Sequence, residues 1–351
     1  MPKWFEQEDA RSNICVASRV RIVRNFEGFV FPGRMDEQTR EKLLHLGREL
    51  SMAAQEAAGE ELPAFRLDKE KPRTRMQLRQ RRVINSALAQ RETPMLLALA
   101  QDESVGLLFG GDDCLRLQVM QPGLRLQEAW ERADAIEEAI GRRAAFAFDE
   151  RYGYLTAFPT NVGTGLRASV ILHLPVLSSG TLFRKLTESL SRFGVSLRPL
   201  LGEEQEECGS LYELYNQKTL GKTEQEILDL VRRMARKLSG QEQEARRKLF
   251  RDHPLESEDE IWRAYGVLRS ARLLGSKDAL HCLSAVREGK LEGILQLEGE
   301  QSILALMLQS MPGCLEDAKN LTDEKRIRAG WIRQRLPEAK EGTEGEREHG
   351  E

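Results

Sequence analysis

Arginine recurs inside segments that otherwise have the grammar of strands or tight loops, and this restricts how the chain can fold. The segments are ASRVR (17–21), DDCLRLQ (112–118), PTNVGTGLRAS (159–169) and LRPLLGE (197–203). Residues 14–23, ICVASRVRIV, are β-branched and read as a strand, so Arg19 and Arg21, two apart, point to the same face. A guanidinium is a planar fork of donors that matches phosphate oxygens bidentately. Arg19, Arg21, Arg116, Arg167 and Arg198, gathered from separate segments, suggest a polyphosphate clamp. Taken singly, each reads as an ordinary solvated arginine.

Around these segments the chain has a mixed pattern. Helical spacing over 37–58 (Leu43, Leu46, Leu50, Ala53, Ala57) ends near Gly59, and an amphipathic helix covers 127–143. Val105–Phe109 and Leu115–Met120 read as strands joined by a Gly/Asp hairpin connection at 110–114. FAF (146–148), YGYLTAF (152–158) and ASVILHLPV (168–176) are strand-like. Strands and helices mix without regular βαβ alternation, which predicts an α+β fold over residues 1–222. Thr223 with Glu226 makes a capping box that opens a charged linker helix over 223–256, interrupted at Ser239-Gly240. Residues 257–336 are helical in pattern and predict a second, all-α domain. The acidic tail 337–351 has almost nothing to bury and reads as disordered.

Composition removes several classes of function. With 53 basic against 56 acidic residues, no global field points to nucleic acid or a membrane, although a local basic patch stays open. No apolar run approaches the roughly 20 residues needed to span a bilayer, and MPKWFEQEDARSN lacks the apolar core of a secretory signal. The five cysteines are scattered and never form a CxxC pair, and the histidines lack metal-ligand spacing. The expectation is a soluble cytoplasmic protein with reduced thiols and no bound protein metal site.

Three constellations are candidates for chemistry. In PTNVGTGLRAS, two glycines would let backbone N–H groups approach an anion, with Arg167 following at once; a structural turn fits equally well. The loop lacks the lysine of a Walker motif and the spacing of a dinucleotide fingerprint. LRPLLGEE combines Arg198 with Glu203, which also reads as a solvated pair at a strand end. Asp112 and Asp113 sit at a hairpin tip beside Arg116, where turn-forming aspartates are equally at home.

Together these segments resemble the phosphagen (guanidino) kinases, and more closely the bacterial protein-arginine kinases. The family reads SSRxRLARN, NEEDHLRIQ, CPTNVGTGLRAS and RGLYGE, followed by LYxxxNQxTLG. This chain has ASRVRIVRN, DDCLRLQ, PTNVGTGLRAS and LRPLLGE in the same order, then LYELYNQKTLG at 211–221 and IWRAYGVLRSARLLGSKDAL at 261–280. The resemblance spans roughly residues 12–336. It implies an antiparallel sheet flanked by helices, and transfer of the γ-phosphoryl group of ATP, with Mg2+, to arginine side chains of proteins. It places Ser18, Arg19, Arg21, Arg116, Arg167, Ala168, Ser169, Arg198 and Gly202 around ATP, with Asp112 and Glu203 as the catalytic carboxylates. Such a delocalised guanidinium is a poor nucleophile, with a pKa above about 12, so carboxylates must align it and accept a proton. Implied partners are proteins with exposed arginines, a second copy of the chain in a homodimer, a Clp-type unfoldase and a stress repressor, with arginine phosphorylation marking proteins for degradation.

The departures from the pattern fall in the active site and in the phosphoarginine-sensing motif. NEEDH is GGDDC at 110–114, so Gly111 replaces a magnesium-shell glutamate and Asp112 a longer one. A cysteine before PTNVGTG is Phe158, a nucleotide-contacting histidine aligns with Arg82, and the phosphoarginine-sensing RDxxRA reads EKRIRA at 324–329, keeping Arg328 and Ala329. Two main readings stay open, an active protein-arginine kinase with a remodelled acceptor site or a kinase-derived nucleotide-binding regulatory protein, with a kinase of free small guanidines as a lesser third because the helical second domain resembles the protein-kinase branch.

Overall fold

The computed structural model describes residues 2–7, 14–201, 209–299, 301–315 and 318–341. Among the described residues ten strands precede the long helix: β1 (Cys15–Arg24), β2 (Ala64–Arg66), β3 (Leu96–Leu99), β4 (Val105–Phe109), β5 (Leu115–Pro122), β6 (Phe148–Asp149), β7 (Gly153–Tyr154), β8 (Leu166–His173), β9 (Val195–Pro199) and β10 (Leu211–Asn216). Eight of them form one sheet in the order β2-β3-β4-β5-β1-β8-β10-β9, and β6 pairs with β7. Every neighbouring pair is antiparallel. The interleaved helices are α1 (Glu37–Ala58), α2 (Pro72–Gln80), α3 (Ser86–Gln90), α4 (Leu126–Gly141), α5 (Pro175–Ser179), α6 (Phe183–Arg192) and α7 (Glu224–Asp252).

Register assigns the two faces. Val20 stands opposite Val119 and Ala168, and Ile22 opposite Leu117 and Leu166. These side chains enter one core with Leu43, Leu44, Ile136, Ile227 and Val231 of α1, α4 and α7. The other face is divided. At one end Ala17, Met120, Ile171 and Leu211 join a second core with the C-terminal helices and Trp4 and Phe5. At the other end Arg21 stands opposite Gln118 and Arg167, and Val23 opposite Arg116, so the apolar roof stops where the arginines begin.

The C-terminal region contains α8 (Pro254–Ser270), α9 (Ser276–Leu291), β11 (Leu295–Leu297), α10 (Ile303–Gln309), α11 (Leu321–Arg335) and β12 (Ala339–Glu341). Three expectations need correction. Ser239-Gly240 does not interrupt α7, because buried Leu238, Glu242 and Arg246 keep the helix packed on both sides of it. That packing outweighs a glycine penalty of about 1 kcal/mol. Ala339–Glu341, placed in the disordered tail, pairs with Leu295–Leu297; residues 342–351 lie outside the described residues. The strand-like stretches at 146–148 and 152–158 yield only the short β6–β7 pair, since Asn25 and Asp113 take up the backbone at Leu155 and Ala157. Among the described residues no helix is long and apolar enough to cross a membrane.

A buried polar knot ties the sheet to α7 and α9. Glu242 accepts from Val176 N (3.1 Å) and Leu177 N (2.9 Å) at the start of α5 and from Arg246 Nε at 2.8 Å. Arg246 Nη2 and Arg287 Nη1 approach His173 Nδ1 at 3.3 and 2.9 Å, and burial with these two arginines holds His173 well below its ordinary pKa. Glu288 is buried with Oε1 lacking a hydrogen bond. Burial, reinforced by Glu242 and Glu292 against the pull of Arg246, pushes Glu288 from 4.5 up to about 7. Its folded pKa is therefore above the unfolded one, so stability is greatest below about pH 4.5 and is lost as pH rises toward 7. Glu288→Gln is expected to raise thermal stability above pH 7 by on the order of 2–3 kcal/mol and to have little effect near pH 4.5. A pH-independent difference in melting temperature would reject this.

Candidate active site

The arginine end of the sheet is built by alternation within the adjacent strands β5, β1, β8, β10 and β9, four of which carry the arginines. Arg19 and Arg21 come from β1, Arg116 from β5, Arg167 from β8 and Arg198 from β9, and Arg82 enters from the turn after α2. In their midst β10 contributes Glu213, which is 1% exposed. Its Oε1 accepts from Arg19, while Oε2 accepts from Arg82 Nη2 at 3.1 Å and from Arg198 Nη2 and Nε at 2.7 and 2.9 Å. Burial alone would raise the Glu213 pKa; Arg19, Arg198 and Arg82 reverse this and hold it well below the carboxylate range.

The remaining guanidinium groups have weaker partners. Arg21 Nη2 reaches Asn161 Oδ1 at 3.4 Å and Arg116 Nη2 reaches Gln118 Oε1 at 3.3 Å. Arg167 and Arg198 stand 4.9 and 5.0 Å from the ring centre of Tyr215, a cation–π arrangement. The Nε donors of Arg21, Arg82 and Arg116 are buried without a hydrogen-bond partner. Burial and neighbouring arginines push Arg19 down to about 9, with Glu213 opposing, and Arg116 down to about 10. Arg21 is likewise lowered by burial and by Arg116 and Arg167. Arg82 has φ +66°, a left-handed backbone that costs a non-glycine residue energy and is concentrated at functional sites. Six guanidinium groups around one carboxylate, with buried donors unused, make a site that a polyanion would satisfy.

The glycine-rich loop works differently from its sequence reading. The N–H groups of Asn161, Val162, Gly163 and Leu166 are spent on Phe158 O, Pro159 O, Tyr154 O and Thr164 Oγ1. The loop therefore offers the side chains of Asn161 and Arg167, with those four N–H groups already used. Gly163, at φ +106°, is required because a Cβ there would lie 2.9 Å from Leu220 Cα. Thr219 Oγ1 bonds Thr160 O (3.0 Å) and Val162 O (2.7 Å), and Arg24 donates to Thr164 O (2.9 Å) while paired with Glu137 at 2.7 Å. These contacts hold Arg167 in register.

The paired aspartates have separate fates. Asp112 is partly exposed and accepts from Arg91 Nη2 at 2.5 Å. Asp113 is buried, accepts from Asn25 Nδ2 (2.8 Å) and Ala157 N (2.6 Å), and is raised by burial. It ties the hairpin tip to the segment that ends in Phe158, which is 50% exposed. A Cβ on Gly111 would meet Leu108 and Leu88 at 3.2 and 3.4 Å.

Not every expected residue reaches this face. Ser169 does, accepting from Arg19 Nε at 3.3 Å. Ser18 faces away: its hydroxyl donates to Gly123 O and accepts from Arg125 N, each at 2.9 Å, and the Ala168 side chain lies in the core. Gly202 and Glu203 lie outside the described residues. Arg328 is buried in α11, with Nε on Ser310 O (2.9 Å), Nη1 on Leu274 O (3.0 Å) and Nη2 on Glu324. Phosphoarginine would have to displace those bonds, so the side chain serves as an internal tie between helices.

Residues 47–245 match the ATP:guanido phosphotransferase C-terminal catalytic domain, and residues 254–347 match the protein-arginine kinase McsB C-terminal domain. The chain is 36% identical over 342 residues to a protein-arginine kinase of Symbiobacterium thermophilum, covering 95% of this chain and 96% of the relative. This chain belongs to the protein-arginine kinases of the ATP:guanido phosphotransferase family. A second relative, the protein-arginine kinase of Moorella thermoacetica, is 36% identical over 339 residues, covering 95% of this chain and 97% of its own. Among solved structures, the duplicated taurocyamine kinase of Schistosoma mansoni with bound transition state analog components superposes with TM-score 0.56 at 27% identity. The match covers 66% of this chain and only 33% of that one. Lombricine kinase has TM-score 0.56 at 22% identity, covering 69% and 71%, a likeness of fold.

Within this family member, Glu213, Arg91 and Tyr215 are site residues that the arginine segments did not reveal. A charged residue at the centre of LYELY (211–215) was the available signal, since alternation sends Tyr212 and Leu214 inward and Glu213 and Tyr215 outward. Arg91, from a stretch with weak periodicity, left no such signal.

Proposed function

We propose that the chain transfers the γ-phosphoryl group of ATP to arginine side chains of proteins. The observation that carries this reading is the six-arginine face with buried unused donors and a partly exposed carboxylate, Asp112, close enough to influence Arg116. Phosphoryl transfer depends on positioning and charge compensation more than on covalent help. Arg21, Arg116 and Arg167 hold phosphate oxygens and offset charge at the transferred group. A guanidinium nitrogen of the acceptor attacks the γ-phosphorus as the bond to the β–γ bridging oxygen breaks, ADP leaves, and the nitrogen's proton passes to Asp112. Glu203 is the second aligning carboxylate. Magnesium supplies charge neutralisation on the phosphates when bound; among the described residues no three His, Cys, Asp or Glu side chains stand together to cage it. A metal that leans on phosphates and water arrives as part of the nucleotide substrate. On the same reading the helical region 257–336 docks substrates and dimerises, and the phosphorylated proteins are handed to a Clp-type unfoldase under stress in the cytoplasm.

One observation favours the regulatory reading: Arg91 occupies the carboxylate that has to accept the proton. Incubation of the purified protein with Mg-ATP and an arginine-rich protein discriminates between the two. The expected result is acid-labile phosphate on arginine. A folded preparation that binds ATP and transfers nothing would establish the regulatory reading instead.

A further inference from the structure

Glu213 divides the arginine face into two halves. Arg19, Arg82 and Arg198 converge on its carboxylate from β1, from the turn after α2 and from β9. Arg21, Arg116 and Arg167 have no hydrogen-bonded carboxylate among the described residues. Three guanidinium groups so close together would repel each other without a shared anion, and the two oxygens of one carboxylate accept from all three. The three ties differ in character. Arg19 is 5% exposed in its side chain and also bonded to Ser169, whereas Arg198 is 44% exposed and stands against the ring of Tyr215. Arg198 is thus the partner best placed to leave Glu213 for another anion.

We propose that Glu213 is a positioning residue of the phosphate clamp: a resident anion that aligns Arg19, Arg82 and Arg198 before nucleotide binds and competes with the nucleotide for Arg198. This rests on reading the arginine face as the ATP site. The same negative charge that orders the clamp opposes an incoming polyphosphate, so Glu213 exchanges ground-state affinity for alignment. Removing the charge while keeping the shape should separate the two effects.

In Glu213→Gln, affinity for ATP and for inorganic tripolyphosphate, measured by calorimetry, is expected to tighten about tenfold, because a like charge is removed from the site. KM for ATP should fall in step, while kcat falls by about 10- to 100-fold as the arginines lose their common acceptor. Glu213→Asp, which keeps the charge but shortens the reach, should retain wild-type affinity and lose only kcat. Unchanged or weaker polyphosphate binding in a folded Glu213→Gln protein would overturn the proposal. If that variant does not fold alone, tripolyphosphate is expected to restore its folded circular dichroism spectrum by replacing the missing counter-charge, and failure to do so would overturn the proposal equally. Arg167→Ala, measured in parallel, tests the premise. ATP binding unaffected by Arg167→Ala sinks the clamp itself; binding lost there, with no tightening in Glu213→Gln, removes the role of Glu213 alone.

Discussion

Arg167→Ala is expected to lower ATP-dependent phosphoryl transfer by about 10³-fold and to take ATP binding below detection in a calorimetric titration. The variant is informative because of how Arg167 is held. Its guanidinium lies over Tyr215, opposite Arg21 across the strand pair, and no hydrogen bond to another described side chain depends on it. Truncation therefore leaves no buried acceptor unsatisfied, and stability should change by less than about 1 kcal/mol. Arg24, three residues after Arg21, is the opposite case. It is committed to Glu137, Val23 O and Thr164 O beneath the glycine-rich loop, so its loss would report on folding and not on nucleotide. Unaltered ATP affinity in Arg167→Ala would refute the clamp assignment.

Asp112→Asn should reduce transfer by about 10²- to 10⁴-fold while ATP affinity is kept or slightly improved. The amide oxygen still accepts from Arg91, so the hairpin tip keeps its geometry, but the group can no longer take the proton from the attacking nitrogen. Removing a negative charge near Arg116 favours the nucleotide if it changes binding at all. Asp112→Glu combined with Phe158→Cys should raise transfer. The added methylene advances the carboxylate by roughly 1 Å, and a displacement of that size is worth on the order of 100-fold. Full activity in Asp112→Asn would move the proton acceptor elsewhere, with Glu203 next to be tested by the same substitution.

Much of the architecture was legible because it depends on local pattern. The alternation in ICVASRVRIV predicts β1, the leucine spacing predicts α1 up to its left-handed Gly59, and Thr223 with Glu226 predicts the start of α7. Parity within β1 separates Arg19 and Arg21 from Arg24, since odd and even residues of a strand point to opposite sides. The elements that escaped are those settled by distant partners. Gly240 looked like a helix break because propensity is local, whereas the buried Leu238 and Arg246 that sustain the helix are packed by the rest of the fold. YGYLTAF looked like a strand, but its backbone groups are claimed by Asn25 and Asp113. Ser18 and Ala168 neighbour site arginines in sequence yet face the core, because the side-chain period of a strand is two.

The sequence by itself determined the family, the set of arginines and which of them share a strand face, because these follow from residue type and spacing. Only the tertiary structure decided that Glu213 sits at the centre of those arginines, that Arg91 closes on Asp112, and that Asp113 and Arg328 are internal ties. Each of those depends on strand register or helix packing between segments far apart in the chain. A charged side chain's role is set by which opposite charge the fold brings within hydrogen-bonding distance, and sequence proximity does not carry that information.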